Sequence, residues 1–257
     1  MTIHVYIISL QRDNERRNKI AKDFNEQQID FQFFDAVDAK DTANSKLIES
    51  MRNNGVGCEM TDGEIACTLS HQHLYQYIIS NQQEWVIILE DDVIIDSKFK
   101  DFVSSLSSSE LTKLKKDNLY LLGGQKGLHD YPVLGLSLFG QQKVAGRKFR
   151  RVNYNAHKLR RTCSYLMNDA MAKNLIELTS SYGTYRADSW KLMHQKNVIK
   201  DFFLNEIILH PKLNQFNSHL EQERQLKAEV KKKRSRLGKM LKIIRSWIKV
   251  CYFSLFK

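Results

Sequence analysis

The sequence is poor in the residues that mark disulfide-rich, zinc-binding or Pro-rich multidomain proteins. Its four cysteines, Cys58, Cys67, Cys163 and Cys251, are scattered without a CxxC pair, and only two of the 257 residues are proline. Scattered cysteines make a poor disulfide framework and a poor zinc signature, and they suit a reducing cytosol. The scarcity of proline excludes long Pro-rich linkers.

Long apolar runs are also missing. No 18 consecutive residues are apolar, so we expect no segment of the sequence to span a bilayer. The apolar segment 3–8 is too short for the hydrophobic region of an export signal, and it is better interpreted as a first β-strand. We therefore expect a cytoplasmic protein.

The net charge of +11 lies almost entirely at the C-terminal end. Residues 227–257 contain eleven Lys or Arg and one acid, Glu229, which leaves a charge of +1 for residues 1–226. The nearly neutral body argues against a nucleic-acid arm, in which residues 231–234 would contact phosphates, and nucleic acid is not an expected partner.

The basic segment also has the apolar periodicity of a helix. Apolar residues recur every three or four positions at Leu237, Met240, Leu241, Ile244, Trp247, Ile248, Cys251 and Leu255, with Lys and Arg on the other side. This pattern is typical of helices that lie in an anionic membrane surface, where each Lys or Arg contributes about 1 kcal/mol. We predict that 223–257 form a basic amphipathic tail associated with the inner face of a bacterial cytoplasmic membrane. A helix packed against the body is the alternative, and the density of basic residues argues against it.

The remaining residues, 1–222, have the pattern of one α/β domain. A strand at 3–10, a helix to about 28 and a strand at 31–37 open the chain, which favours a βαβ unit and a parallel sheet. Further strands are predicted at 85–89, 119–122, 163–167 and within 198–210, with helices at 61–77 and 170–179. The helix at 61–77 begins with the spacing of a capping box, Thr61 and Glu64. Residues 38–60 and 127–155 are predicted as irregular.

Three consecutive carboxylates, Glu90-Asp91-Asp92, follow the wholly apolar strand at 85–89. Ligands bind outside the carboxyl ends of strands in open α/β sheets, and three unpaired carboxylates there would repel one another. A divalent cation with a preference for oxygen, Mn²⁺ or Mg²⁺, relieves that repulsion and can neutralise a diphosphate. The alternative is an acidic turn that is exposed to solvent and has no functional role. A metal-dependent phosphotransferase or nuclease would use the same carboxylates, and a non-catalytic membrane or nucleic-acid binding module would not need them.

Several motifs in a fixed order resemble those of glycosyltransferase family 25, the lipopolysaccharide glycosyltransferases related to collagen galactosyltransferases. The matching segments are 8–17, 33–38, 61–71, 87–93, 120–124 and 161–166. The resemblance covers about residues 3–223, and ordered motifs together are more specific than any one of them. It implies a GT-A-like fold with a Rossmann-type nucleotide-binding sheet, flanking helices and a UDP-sugar donor. It also implies transfer of a hexose, galactose first and glucose next, to a lipooligosaccharide acceptor with inversion.

The resemblance assigns roles to individual residues. Glu90-Asp91-Asp92 stands at the family's DxD position, so Asp92 and then Asp91 are the expected metal ligands. Ser9, Leu10, Arg12, His71, Glu90, Gly123 and Gly124 are expected to bind the donor. Ser9 and Arg12 follow a strand where a helix begins, and His71 shares a helix face with Glu64, for which capping is the preferred role. Asp188 is the expected catalytic base. His210 and His219 are left as structural residues, although either could supply a further metal ligand.

Overall fold

The computed structural model describes residues 3–56, 59–125, 135–154, 156–210 and 236–256, and it contains one eight-stranded sheet with helices on both faces. The strands are β1 (His4–Ser9), β2 (Gln32–Asp35), β3 (Trp85–Glu90), β4 (Asn118–Gly123), β5 (Leu136–Val144), β6 (Arg147–Val152), β7 (Ser164–Asn168) and β8 (Asp201–Ile208). The helices are α1 (Asn14–Glu26), α2 (Ser45–Asn53), α3 (Asp62–Ser80), α4 (Ser97–Ser105), α5 (Ser108–Leu111), α6 (Asp169–Tyr182), α7 (Trp190–Gln195) and α8 (Arg236–Phe256). Short 3-10 turns lie at Thr42–Asn44 and Ala156–Lys158.

The sheet is mixed, with the strand order β2-β1-β3-β7-β4-β8-β6-β5. β1 pairs in parallel with β2 and β3, and β4 with β8, whereas β7 lies antiparallel between β3 and β4. The expected α/β fold with flanking helices is confirmed, and so is the opening βαβ unit, whose strands β1 and β2 are parallel. The sheet as a whole is mixed, because β5, β6 and β7 run antiparallel to their neighbours. The apolar run of β7 cannot reveal its direction, because any strand covered by helices on both faces is apolar throughout.

The core has one layer on each face of the sheet. On one face α1 and α4 cover Val5 and Ile7 of β1 with aromatic residues such as Phe24 and Phe99. On the other face α3, α6 and α7 cover the alternate residues, with Trp190 among the largest fully buried side chains. Neighbouring residues of β1 and β3 therefore point to opposite faces of the sheet and enter different hydrophobic layers. This alternation fixes the register of the strands.

Two elements lie in segments that were predicted as irregular. The helix α2 occupies residues 45–53, and Ile48 is its only buried residue. The antiparallel hairpin of β5 and β6 forms the sheet edge within 127–155. Four of the six residues of β6 are Lys or Arg, and this charge hid the strand pattern in the sequence. β6 lies between β8 and the edge strand β5.

The C-terminal helix α8 docks on the hairpin by a narrow edge. Ser254 Oγ accepts a hydrogen bond from the Leu138 amide at 2.9 Å, and Tyr154 stacks on Phe253 with ring centroids 5.5 Å apart. The predicted amphipathic helix is confirmed for residues 236–256. It also contacts the body, as expected of the alternative, a helix packed against the body. The expected boundary at residues 222 and 223 lies outside the described residues. No helix in the described parts of the chain combines the length and apolar character needed to cross a bilayer.

Gly123, at the end of β4, lies too close to β8 for a side chain. Its φ is +134°, and an added Cβ would lie 2.1 Å from the Ile208 carbonyl oxygen. Gly146, in the hairpin turn, also has a positive φ of +76°, but nothing lies within 4 Å of the Cβ position. Comparison of Gly123 with Gly146 therefore separates the energetic cost of a positive φ from that of a steric collision with the backbone.

We predict that Gly123→Ala lowers the free energy of unfolding by about 3 kcal/mol, because backbone strain and overpacking add. Gly146→Ala should cost about 1 kcal/mol from strain alone. Denaturant unfolding followed by circular dichroism measures both changes. Equal losses in the two variants would show that β4 and β8 are not in such close contact.

Candidate functional site

A cleft opens at the carboxyl ends of β1, β2 and β3, where the parallel strands end together. In the register of the sheet Ile8 pairs with Glu90 and Ser9 with Asp35, so the residues after these strands converge. Of the residues expected at a site, the cleft is lined by Ser9, Leu10, Arg12, His71, Glu90, Asp91, Asp92 and Asp188. It is also lined by residues that were not assigned to the site, including Arg16, Arg161, Thr162, Arg186 and His210.

Asp91 is held by the first strand and the first helix. Its two carboxylate oxygens accept hydrogen bonds from Ser9 Oγ at 2.7 Å and from Arg16 Nη1 at 2.9 Å. Burial raises the pKa of the Asp91 carboxyl above its ordinary value, and Ser9 and Arg16 offset part of that effect. Because both oxygens already have donors, Asp91 is the less available of the two expected metal ligands.

Asp92 has a different environment. Its Oδ2 lies 3.2 Å from His210 Nε2, while its Oδ1 is buried without a hydrogen-bond partner. Burial alone would raise the pKa of the Asp92 carboxyl, but the contact with His210 and the charges of Arg16 and Arg161 outweigh burial and hold that pKa below its ordinary value. An ionised carboxylate with a buried free oxygen, beside an imidazole, has the donors that a divalent cation needs. His210, which the sequence left as structural, therefore belongs to the site.

Glu90 joins β3 to the chain segment before β7. It accepts a short hydrogen bond from Thr162 Oγ1, and its Oε1 lies 3.6 Å from His71 Nε2. The other nitrogen of His71, Nδ1, lies 2.8 Å from the Tyr165 hydroxyl, which in turn contacts the Tyr75 hydroxyl at 2.9 Å. His71 is thus fixed by a buried polar chain with its Nε2 directed at the acidic cluster.

A second set of possible metal ligands lies beside Glu90. The ligand atoms of Cys67, His71 and Glu90 all lie within 4.8 Å of one another, and they are the only such group of three among the described residues. A thiolate and an imidazole suit a softer cation than Mn²⁺ or Mg²⁺. The carboxylate oxygens of Asp91 and Asp92 are the harder donors, and a diphosphate is bridged by cations that prefer oxygen.

Glu64 has the capping role that its position predicted, together with a second contact. It completes the capping box of α3, with the Thr61 amide donating to Glu64 Oε2 at 3.1 Å. Its other oxygen lies 3.0 Å from Arg186 Nε, and the glutamate is almost fully buried. The pair brings a cation from the segment before α7 to the wall of the cleft.

Asp188 lies on the same segment and lines the same cleft. Its Oδ2 accepts a hydrogen bond from the Arg161 amide at 3.1 Å, and the Trp190 indole donates to the Arg161 carbonyl at 3.1 Å. Arg161 has a φ of +73°, which is uncommon for a residue with a side chain. Such strain is found at functional sites, and here Arg161 lines the cleft with its Nη1 donating to the Gly124 carbonyl at 3.0 Å.

Three expected assignments differ from the structure or lie outside it. Gly123 and Gly124 are not among the residues that line the cleft. A Cβ at Gly124 would lie 2.6 Å from Cys163 Sγ and 3.1 Å from His210 Cβ, so the glycine makes room for His210 instead of a ligand. His219 lies outside the described residues.

The first helix presents a different arginine from the expected one. Arg12 lines the rim of the cleft and pairs with Asp38, with its side chain 45% exposed, whereas Arg16, one turn later, reaches Asp91. Arg12 lies in the turn before the N-cap Asp13, whereas Arg16 lies in the first turn of α1, so the choice between the two arginines depends on where the helix begins.

Comparison with known proteins identifies the family. The model of glycosyltransferase family 25, described as LPS biosynthesis protein, matches residues 2–191. The chain belongs to glycosyltransferase family 25. It is therefore a glycosyltransferase, with the α/β domain expected of a GT-A-like enzyme.

Three relatives show how far the similarity extends. A lipooligosaccharide biosynthesis protein, lic2B, of Haemophilus influenzae is 29% identical over 97% of this chain and 96% of its own length. A glycosyltransferase 25 family member of Aedes aegypti is 37% identical over 40% of this chain, and the match covers 18% of that protein. Human procollagen galactosyltransferase 2 is 25% identical over 60% of this chain and 30% of its own length. The chain thus spans a small part of the two animal proteins and nearly all of the bacterial one.

We predict that Arg16→Gln, in this family 25 site, lowers the free energy of unfolding by about 2 kcal/mol at neutral pH, because Asp91 keeps its charge but loses its cation. Burial already raises the pKa of Asp91, and removal of Arg16 raises it further. The loss of unfolding free energy in Arg16→Gln should therefore shrink as the pH falls through the pKa of Asp91 toward about 3.9, the ordinary value for an aspartate, since a protonated Asp91 needs no cation. Denaturant unfolding at several pH values measures the effect.

Arg12→Gln is the matched control, because it removes the same charge from an exposed pair with Asp38. It should cost at most about 1 kcal/mol. A loss in Arg16→Gln no larger than in this control would contradict the role assigned to Arg16.

Proposed function

We propose that this chain transfers a hexose from a UDP-sugar to a lipooligosaccharide acceptor, with inversion, at the inner face of a bacterial cytoplasmic membrane. Galactose is the favoured sugar and glucose the next. The observation that carries the proposal is the cleft at the ends of β1 and β3, where a buried carboxylate with a free oxygen faces several arginines. The name of the Haemophilus relative supports the acceptor class, and that of the human relative supports galactose.

The donor set of the cleft fits a divalent cation, Mn²⁺ or Mg²⁺. Asp92 would hold it through the buried Oδ1 that has no partner, with His210 beside it and Asp91 next to both. When bound, such a cation neutralises the negative charge of a diphosphate. This assignment keeps Asp92 as the first ligand and adds the histidine.

The arginines of the cleft have a separate task, which is to orient the diphosphate of the donor. Arg16, Arg161 and Arg186 reach the cleft from three different segments of the chain. Guanidinium groups bind phosphate oxygens in a planar, bidentate geometry, so three of them around one cleft favour a substrate with more than one phosphate. Arg16 and Arg186 are already positioned by carboxylates, which reduces the entropy lost on binding.

Asp188 is the proposed base. It takes the proton from an acceptor hydroxyl while that oxygen forms a bond to the anomeric carbon. The bond from the anomeric carbon to the diphosphate oxygen breaks at the same time, and UDP leaves with the electron pair. Attack from the face opposite the leaving group inverts the configuration. The hydrogen bond from the Arg161 amide holds the Asp188 carboxylate in place without neutralising it.

The activity is tested with purified protein, Mn²⁺ and a panel of UDP-sugars, by following release of UDP with and without a lipooligosaccharide acceptor. We expect turnover of UDP-galactose above that of UDP-glucose and of the remaining donors. Asp188→Asn should lower transfer by about 10²- to 10⁴-fold with little change in donor affinity, since the base acts on the acceptor. Asp201→Asn, in β8 and away from the cleft, is the control with the same chemical change.

Two outcomes would contradict this proposal. Folded protein that turns over no UDP-sugar would exclude the donor class. Full transfer activity in Asp188→Asn would exclude Asp188 as the base and leave the donor assignment intact.

Helix α8 supports the proposed place at the membrane surface. The edge of α8 that faces the hairpin includes Ser246, Val250 and Ser254, whereas its large apolar residues face outward. The exposed set comprises Met240, Leu241, Ile244, Trp247, Ile248, Tyr252, Leu255 and Phe256. An apolar face of this length flanked by Lys and Arg is suited to burial at the boundary of headgroups and acyl chains.

We predict that Ile248→Ser weakens binding to vesicles of phosphatidylcholine and phosphatidylglycerol by about tenfold, the effect of removing one apolar side chain from the bilayer. Co-sedimentation measures the affinity. Leu47→Ser on α2, an exposed aliphatic residue of the body, should leave it unchanged. Equal affinities of Ile248→Ser and native protein would exclude the outward face of α8 as the membrane contact.

A further inference from the structure

A second cavity, of about 720 Å³, lies beside the docked helix α8 and apart from the catalytic cleft. Its lining includes Tyr154, His157 and Lys191. Tyr154 also touches α8, because its hydroxyl donates to the Ser246 carbonyl at 3.3 Å and its ring lies under the Lys249 ammonium at 5.9 Å. The cavity and the membrane-facing helix therefore share a wall.

Cations from three segments flank this wall. Lys191 lines the cavity, Lys249 lies over the Tyr154 ring, and the turn that carries Lys158 packs against α7. Lys158 and Arg160 come from the turn before β7, Lys191 from α7, and Lys249 from α8; these four residues are called the cationic cluster. Burial lowers the pKa of His157, and so do the charges of Lys158, Lys191, Arg160 and Lys249. These charges are thus close enough to repel the protonated form of one imidazole at their centre.

One carboxylate, Asp201, lines the cavity, and its ion-pair partner is Arg151 at 4.0 Å, outside the cluster. Among the described residues, no carboxylate lies within ion-pair distance of any of the four members of the cluster. Like charges held together by a folded chain are unfavourable, and an anion that binds between them removes the repulsion. Lys and Arg side chains beside an open cavity suit the several oxygens of a phosphate group.

The cluster is also joined to the catalytic cleft by short segments. Lys158 precedes Arg161 by three residues, and Lys191 follows Asp188 by three residues, so each pair of Cα atoms is separated by at most about 11 Å. The Trp190 indole, next to Lys191, donates to the Arg161 carbonyl at 3.1 Å. The cluster and the cleft are therefore linked by two short segments of the chain.

We propose that the cationic cluster binds the phosphate group of an anionic lipid headgroup beside the membrane-embedded face of α8. This inference rests on the membrane location given under Proposed function. The apolar face of α8 enters the lipid, while Lys249 on its flank stays at headgroup level with Lys158 and Lys191. The site would orient the body so that the catalytic cleft faces lipid-borne acceptors.

The test compares full-length native protein with Lys158→Gln/Lys191→Gln, using vesicles of phosphatidylcholine with and without phosphatidylglycerol. We expect the double variant to lose ten- to thirtyfold in affinity for the phosphatidylglycerol vesicles. Lys46→Gln/Lys115→Gln removes the same charge from exposed lysines elsewhere and should lose less than threefold. Inorganic phosphate at constant ionic strength should displace native protein from these vesicles.

Each contrary result would overturn a different part of this inference. Equal losses in the two double variants would show diffuse attraction and overturn the site. Phosphate binding that depends on Lys158 and Lys191, without their effect on vesicle affinity, would make free phosphate the ligand and overturn the lipid assignment. Turnover of UDP-sugars by native protein is measured in parallel, because turnover without any preference for anionic vesicles would overturn this inference alone.

Discussion

Three carboxylates follow one another at the end of β3, and the folded chain has to satisfy each of them where little water reaches. Their partners come from separate parts of the chain: Glu90 contacts Thr162 and His71, Asp91 contacts Ser9 and Arg16, and Asp92 contacts His210. A buried carboxylate without such partners would cost several kcal/mol. The order of strands around β3 is the arrangement that brings all of these partners to one place.

The strand order also explains why the site has a free oxygen. β1 and α1 satisfy Asp91 fully, and the strand β7 brings Thr162 to Glu90 from the other side. Asp92, the last of the three, has a histidine on one oxygen and nothing on the other. Asp92 Oδ1 is thus the one buried oxygen of these three carboxylates that has no hydrogen-bond partner, and four arginines line the same cleft.

Much of this fold follows from local patterns in the sequence. The apolar run of β3 with acids after it, the capping box of α3 and the amphipathic α8 are short-range signals, and the structure has all three. The hairpin of β5 and β6 was not predicted, because the Lys and Arg residues of β6 hide an alternating pattern. The direction of β7 was missed because a strand buried on both faces looks the same in either direction.

The site could be predicted only in part, because only some of its residues belong to a local pattern. The carboxylates directly follow an apolar strand, and the sequence therefore indicates them. His210 reaches Asp92 only because β8 lies next to β4 and Gly124 leaves room for the imidazole, which are facts of tertiary structure. The choice of Arg16 over Arg12 depends on where α1 begins, because Arg12 lies in the turn before the helix. Arg161 and Arg186 come from irregular segments, where no periodicity marks a residue as facing the site.

We propose that Asp92 and its neighbours would hold a divalent cation at the diphosphate of the donor. Calorimetric titration of UDP into native protein, with Mn²⁺ and then with chelator, tests this proposal, with Asp92→Asn as the variant. We expect UDP to bind with Mn²⁺, chelator to lower the affinity at least tenfold, and Asp92→Asn to remove this difference. Binding of UDP with the same affinity in all of these conditions would contradict it.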